Sequence, residues 1–536
     1  MKNLKPVRNC KSYTNMEHAA LERSRQLISQ RKARISNGVN RRQFLNLAAA
    51  SAAAALLPSA GCKSQTRVAT SSKSRKIGTS LGMAQPNIIF IMVDDLGPEW
   101  LSRYGGQEMK TPNLDKLAEG GMQFSNAYSM AQCTPTRATL LTGQYPFRHG
   151  WVNHWDVPRW GAGCHFDYKH NITFARVLKT TGYATAAAGK WQINDFRVQP
   201  NAMQKHGFDE HCMWTGYETN NPPSAKRYWD PYIHTKAGSR TYKGKFGADV
   251  FVDFLIDFMK RNKDKPMMLY FPMCLTHGPL TNTPLDPNAT GNIERHKAMV
   301  RYTDHAVGRL VKELDELDIR DNTIVFFTTD NGTAKKMTAR MNGRLVRGGK
   351  ATIGEAGVRA PFIVNCPGLV PAGARTDALT DFTDILPTFA ELAGAKIPAD
   401  VTIDGRSIAK LLLGKADDSP RDWIMAMGFG AAKLADGRVV GAKECADRVV
   451  RNKRYKLWLL DGKPARLFDL PADPAETNNL IDNKAPNVIA ARKKLEAVAR
   501  SFPKKDGAPK YDPTPPQPWD KKPERFKKKK LKKQGK

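Results

Sequence analysis

The sequence predicts an α/β fold, with a large, mostly parallel sheet flanked by helices and a smaller C-terminal subdomain built on an antiparallel sheet. Three observations carry this expectation. The run Asn87-Ile88-Ile89-Phe90-Ile91-Met92-Val93 is continuously apolar and stops at Asp94-Asp95, as a strand buried on both faces of a parallel sheet does. Further apolar runs at 183–188, 267–271, 323–329 and 361–365 alternate with helical patterns such as 248–261 and 293–317, which is the rhythm of strands joined by crossover helices. From about Asp422 the texture shifts to short β-rich pieces (439–440, 449–451, 455–459), followed by a helical pattern near 486–501.

Taken in order, residues 1–62 read as an address. Asn40-Arg41-Arg42-Gln43-Phe44-Leu45-Asn46 resembles a twin-arginine export signal. The alanine-rich run from Leu47 to Leu57 behind it is too short to span a bilayer stably. The run ends at Ser59-Ala60-Gly61-Cys62, which also resembles a lipoprotein box, so a lipid tether at Cys62 is one expectation. The expected location is outside the cytoplasm: periplasm, cell surface or secreted. Residues 63–84 are Ser/Lys-rich and form a linker. Residues 85–421 hold the main α/β domain and 422–503 the second subdomain. Residues 504–536, rich in Pro and Lys, are expected to be a disordered basic tail.

The net charge is +34, which at first suggests a nucleic-acid partner. Its distribution argues against one. Residues 1–80 carry +14 and residues 521–536 carry +9, leaving only +11 across the 440 residues between. A mildly basic body suits an anionic substrate and needs no nucleic acid. Of eight cysteines, Cys10 and Cys62 lie in the leader. Cys164, Cys212, Cys274, Cys366 and Cys445 form no dense framework, though one bridge, such as Cys164 to Cys212, is compatible with export.

Two of the predicted strands end alike, one at Asp94-Asp95 and another at Asp330-Asn331. Ligands in parallel α/β sheets gather at the carboxyl ends of strands. If the two strands are neighbours, three carboxylates and an amide converge into an all-oxygen set suited to Ca²⁺ or Mg²⁺. No neighbouring His-x-His or Cys-x-x-Cys spacing favours zinc. Between these pairs lies Cys133-Thr134-Pro135-Thr136-Arg137. The proline suits a helix start, which places Cys133 at a helix N-terminus with Arg137 one turn on, a setting for an activated thiolate.

Cys133-x-Pro135-x-Arg137 with Leu141-Thr142-Gly143 resembles the modification signature of the type I, formylglycine-dependent, arylsulfatase-like sulfatases of the alkaline phosphatase superfamily. Ile91-Met92-Val93-Asp94-Asp95, Gly189-Lys190-Trp191, Thr328-Thr329-Asp330-Asn331-Gly332 and Gly348-Gly349-Lys350-Ala351-Thr352 resemble other motifs of that family. Leu467-Phe468-Asp469-Leu470, with Asp473-Pro474 and Asn478-Asn479-Leu480, resembles its closing motif. The similarity runs in family order from about Pro86 to Leu480.

The resemblance implies an alkaline phosphatase-like fold and a sulfuric ester hydrolase. A formylglycine-generating enzyme would oxidise Cys133, and the hydrated aldehyde would attack sulfur. One Ca²⁺ would be held by Asp94, Asp95, Asp330, Asn331 and the modified Cys133. Lys190 and Lys350 would grip the sulfate, Arg137 would steady the nucleophile, and His277, in Leu275-Thr276-His277-Gly278-Pro279, would be the general acid. A sulfated carbohydrate is the expected substrate, with residues 151–170 and 195–245 selecting the sugar. His149 and Asn153-His154 are weaker candidates for lining the pocket.

One position departs from the family pattern. Gln192 stands where the family usually has a histidine two residues after the lysine, and an amide has no useful basicity. Two alternatives follow: a phosphoester hydrolase of the same superfamily, or a non-catalytic surface protein that binds sulfated glycans.

Overall fold

The computed structural model describes residues 81–152, 163–428, 432–441 and 443–520, and the apolar run after Pro86 becomes a central strand of a ten-stranded sheet. The strands of this sheet are β1 (Asn87–Val93), β2 (Met122–Tyr128), β3 (Ala184–Lys190), β4 (Glu210–Trp214), β5 (Tyr232–Thr235), β6 (Gly238–Thr241), β7 (Met267–Pro272) and β8 (Thr323–Thr329). After a separate hairpin, β9 (Thr338–Met341) and β10 (Arg344–Arg347), the chain returns as β11 (Arg359–Asn365) and β12 (Ala374–Asp381). The order across the sheet is β12-β2-β11-β8-β1-β7-β3-β4-β5-β6. The block β8-β1-β7-β3-β4 is parallel, as is the pair β12-β2, while β11 and the β5-β6 hairpin introduce antiparallel ladders. Parallel ladders are thus the majority in a mixed sheet, and the expected strand at 361–365 runs against its neighbours.

β1 shows why a continuous apolar run was needed. The flanking helices are α1 (Pro112–Glu119), α2 (Cys133–Thr142), α3 (Gly247–Asn262), α4 (Gly291–Glu316) and α5 (Ile385–Ala393). Ile88, Phe90 and Met92 enter one core with Leu140 and Leu141 of α2 and Phe389 of α5, while Ile89, Ile91 and Val93 enter the other with Phe251 and Leu255 of α3 and Val300 and Val307 of α4. Each fully buried Ile or Phe contributes about 1.5–3 kcal/mol, so neither face of the strand tolerates a polar residue.

The register of β1 on β8 decides the function. Asn87 lies opposite Thr323 and Val93 opposite Thr329, so both strands stop at the same level. Asp94-Asp95 therefore emerge beside Asp330-Asn331.

The C-terminal sheet is antiparallel, as expected, in the order β13 (Ile424–Met427), β16 (Arg448–Arg451), β17 (Tyr455–Leu460) and β18 (Lys463–Asp469). A small hairpin, β14 (Ala432–Ala435) and β15 (Arg438–Gly441), lies in between, and α6 (Pro486–Arg500) follows. Ile424, Val449 and Leu457 share a core with Tyr128, Met130 and Leu379 of the main domain, so the two parts are fused through apolar contacts.

Two expectations need correction. The stretch from 504 is not a disordered tail as far as residue 520. Asp506 pairs with Arg448 at 2.6 Å, Tyr511 is buried with its hydroxyl accepting from Val439 N, and Thr514 N donates to Gly163 O. The Pro/Lys composition hides these few side chains, each of which finds a partner on the body. Nor is there a disulfide between Cys164 and Cys212; Cys212 is buried in β4 with its thiol held as S–H by desolvation. The leader with Arg41, Arg42 and Cys62, most of the linker, and residues 521–536 lie outside the described residues. Among the described residues no helix is long and apolar enough to cross a membrane.

Candidate active site

The site forms where β1 and β8 stop and α2 begins. Helix α2 starts at Cys133 after an extended Gln132 and ends at Gly143, whose φ of 67° is the left-handed turn that glycine adopts without strain. Thr136 fastens that first turn to β8: its hydroxyl lies 2.6 Å from the Asp330 carbonyl and 2.8 Å from that of Gln132. The helix start is thereby pinned over the strand ends. Cys133 Sγ sits 3.3 Å from Asp94 Oδ1, 3.5 Å from Asn331 Oδ1 and 3.6 Å from Lys350 Nζ.

Lys190 ends β3 and Lys350 arrives on a loop, and both approaches need a glycine. A Cβ at Gly189 would lie 2.0 Å from the Pro272 carbonyl oxygen, and one at Gly349 would lie 2.4 Å from the Ala356 backbone. Such close approach brings Lys190 Nζ to 2.6 Å from Asp94 Oδ2 and Lys350 Nζ to 2.5 Å from Asp95 Oδ1. Asp95 itself has a φ of 65°, which aspartate tolerates better than most residues, and it accepts from Asn331 Nδ2 at 2.8 Å. Arg137 spends its guanidinium on Asp330 Oδ2 (2.9 Å) and the Lys190 carbonyl (2.7 Å). It braces the Asp330 carboxylate and the end of β3 together. His277 Nε2 is 3.7 Å from Asp95 Oδ2, while Nδ1 lies 2.7 Å from the Gly278 carbonyl and so carries the proton that it donates there.

The electrostatics follow from this crowding. Burial pushes Asp94 up, but Lys190, His277, Lys350 and Arg137 together outweigh it and hold the carboxyl well below its usual range. Burial, with Asp94 beside it, pushes Asp330 up to about 7. Burial also lowers His277 to about 4 against the pull of Asp94 and Asp95. Cys133 is pushed up by burial first and then by Asp330 and Asp94. The expected thiolate is therefore corrected: the helix start and Arg137 are outweighed by carboxylates from two other strands, and Cys133 is held as a thiol.

The structure thus brings together Asp94, Asp95, Cys133, Arg137, Lys190, His277, Asp330, Asn331 and Lys350. Donor atoms of Asp94, Asp95, Cys133 and His277 all lie within 4.8 Å of one another. Asn331 Oδ1 faces the same sulfur, and the N–H of Asp95 donates to Asp330 Oδ1 at 3.2 Å. The Asp94 and Asp95 carboxylates and the Asn331 amide face one another around Cys133, with Asp330 bonded beside them, and this all-oxygen set, balanced by fixed cations, fits a hard divalent ion such as Ca²⁺. Gln192 follows Lys190 with a φ of 70°, and its Oε1 is buried without a partner. His149 is structural: its Nε2 meets Thr139 Oγ1 at 3.1 Å and its Nδ1 accepts from Trp151 N. Asn153-His154 lie outside the described residues. The sequence reading missed Arg227, whose NH1 is 3.3 Å from His277 Nδ1. Its one signal is an arginine before Tyr228-Trp229 inside the 195–245 stretch.

Comparison with known proteins gives the geometry its context. The Sulfatase family model matches residues 86–395, and the model for the C-terminal part of N-sulphoglucosamine sulphohydrolase matches 349–501. The chain is 32% identical to N-acetylgalactosamine-6-sulfatase of Canis lupus familiaris over 391 residues, covering 67% of this chain and 73% of that protein. It is 31% identical to arylsulfatase A of Bos taurus over 490 residues, covering 80% and 90%. Among solved structures, Ps i-CgsB in complex with k-i-k-neocarrahexaose superposes with a TM-score of 0.65 at 25% identity, covering 83% of this chain and 97% of that one.

Proposed function

The chain belongs to the sulfatase family and is a sulfuric ester hydrolase, and from that premise we propose that it removes sulfate from a sulfated carbohydrate using formylglycine made from Cys133 and one Ca²⁺. The observation that carries this reading is the set of neighbours around Cys133 Sγ: Asp94, Asn331 and Lys350 within 3.6 Å. A bland buried cysteine has apolar neighbours. The carbohydrate is supported by relatives named for N-acetylgalactosamine 6-sulfate and by the oligosaccharide complex of a structural relative.

Asp94, Asp95, Asp330 and Asn331 would hold the ion, and with it bound the site gains a Lewis acid for sulfate oxygens and, from the aldehyde hydrate, an oxygen nucleophile. The rest is the work of the chain's own side chains. Lys190 and Lys350 each carry three N–H donors, and each uses one on an aspartate, leaving others for the non-bridging oxygens of a sulfate. Fixed charges of this kind, held in a buried site, stabilise the charge that develops in transfer. Arg137 keeps Asp330 and the Lys190 end of β3 in place. His277, once charged and so protonated at Nε2 as well as at the Nδ1 held by the Gly278 carbonyl, would deliver its Nε2 proton to the leaving sugar oxygen. Cys133 is only 4% exposed, so the formylglycine-generating enzyme would have to reach the Cys133-x-Pro135-x-Arg137 segment before the chain folds.

Chelation tests the ion. Protein matured with the modifying enzyme should lose sulfate release in EDTA and regain it with Ca²⁺. Recovery with Zn²⁺ alone would favour phosphoester hydrolysis instead.

Export remains part of the proposal and rests on the leader sequence. Changing Arg41 and Arg42 together to Lys should leave the precursor inside the cell, as seen by fractionation. Normal export of that double variant would show that the pair is not the recognised feature. Labelling with a radioactive fatty acid would report a tether at Cys62.

A further inference from the structure

We propose that Arg227 and Trp214 form a subsite for a second anionic group on the sugar that leaves. This rests on the carbohydrate reading above and specifies the substrate class further. The guanidinium carbon of Arg227 lies 4.0 Å from the centre of the Trp214 ring and 6.0 Å from that of Tyr228. Stacking on an indole fixes the plane of a guanidinium that would otherwise sample many positions. The Tyr228 hydroxyl, donating to the Cys274 carbonyl at 2.7 Å, ties this corner to the loop that carries His277.

What Arg227 lacks is an acceptor. Its Nε is buried with no hydrogen-bond partner. Its NH1 faces His277 Nδ1 at 3.3 Å, but that nitrogen lies 2.7 Å from the Gly278 carbonyl and is itself the donor there. Buried donors are nearly always satisfied. A half-buried arginine held on an aromatic face, with its Nε unpartnered and its NH1 facing another donor, is therefore prepared for an acceptor from outside. Nor is its placement arbitrary. His277 stands where the leaving oxygen emerges, so a group bound by Arg227 belongs to the leaving alcohol and not to the sulfate being transferred. The fork of N–H groups matches a carboxylate or a second sulfate.

A second observation says that the alcohol is a sugar. Among the described residues, Tyr217 and Trp229 are the only exposed Phe, Tyr or Trp side chains, at 50% and 39%. Both lie on the segment from Trp214 to Trp229, and a Cβ at Gly216, next to Tyr217, would lie 3.9 Å from the Gln192 Cα. The segment borders the site from Gln192 round to His277. Exposed aromatic faces suit the apolar face of a pyranose, with polar rims around it.

The test compares N-acetylgalactosamine 6-sulfate, its 4,6-disulfate, and the disaccharide of glucuronate with N-acetylgalactosamine 6-sulfate. Wild-type enzyme should prefer one of the doubly anionic sugars, and which one tells sulfate from carboxylate. In Arg227→Ala that preference in kcat/KM should fall about 10–100-fold, mostly through KM, as loss of a charge-assisted hydrogen bond predicts. Arg227→Lys should recover part of it, because the charge returns without the fork. Equal losses on all three sugars, carried by kcat, would overturn the subsite and make Arg227 a positioning residue for His277. A wild-type enzyme that cleaves all three equally would overturn the subsite and leave the carbohydrate reading intact. No sulfate release from any of them would take both down together.

Discussion

Cys133→Ala should fold like the parent and lose sulfatase activity by on the order of 10⁴–10⁶-fold, the scale seen when a covalent nucleophile is removed. Folding is expected to survive because the side chain is small and its sulfur has polar neighbours, so truncation opens no apolar cavity. The electrostatics of the site sharpen the expectation. Asp94 and Asp330 oppose a thiolate at position 133, so an unconverted cysteine is a poor nucleophile even where it is retained. Cys133→Ser puts a hydroxyl in place of the thiol that the modifying enzyme oxidises, and it should lose activity to the same degree. Mass analysis of the peptide around Cys133 should show the sulfur gone in active preparations and present in inactive ones. Undiminished sulfate release by Cys133→Ala, with melting temperature unchanged, would sink the central claim.

How much of this was legible in the sequence depends on whether the determining contact was local. β1 and β8 were readable because both faces of each strand are buried, which forces uninterrupted apolar runs. Their identical end points made the convergence of Asp94, Asp95, Asp330 and Asn331 readable too. β2 was not. Its Gln123, Ser125 and Asn126 are polar because their side chains are satisfied by distant backbone: Arg103, Thr376 and Asp377 carbonyls accept from them. The direction of β11 was also hidden, since strand direction is set by the register with β2 and β8 and leaves no mark in a seven-residue pattern. Electrostatics failed in the same way. The helix start and Arg137 are within four residues of Cys133, whereas the carboxylates that outweigh them lie 39 positions before it and nearly 200 after it. Arg227 escaped for that reason as well: fifty residues separate it from His277, and neither position carries a motif naming the other.

The remaining large effect concerns proton transfer. His277→Ala should lower sulfate release from sugar sulfates by about 10²–10⁴-fold, the usual worth of a positioned general acid or base. The loss should shrink on aryl sulfates with good leaving groups, which need no proton. Gln192 cannot share that work, because its amide neither gives nor takes a proton at neutral pH. Its buried, unpaired Oε1 is instead an acceptor held ready for an O–H. Losing one neutral hydrogen bond costs about 0.5–1.5 kcal/mol, so Gln192→Ala should fall by no more than about tenfold. The φ of 70° at position 192 strains alanine no more than glutamine, since both carry a Cβ. Gln192→His suits the same φ better, because histidine visits the left-handed region more readily, and it should preserve turnover or raise it wherever sulfate release is limiting. If His277 serves both halves of the cycle, giving a proton to the sugar oxygen and taking one as sulfate departs, its loss must slow both. Pre-steady-state assays that follow the sugar alcohol and free sulfate separately can see this. A Gln192→Ala enzyme slower in sulfate release than His277→Ala would refute the division of labour.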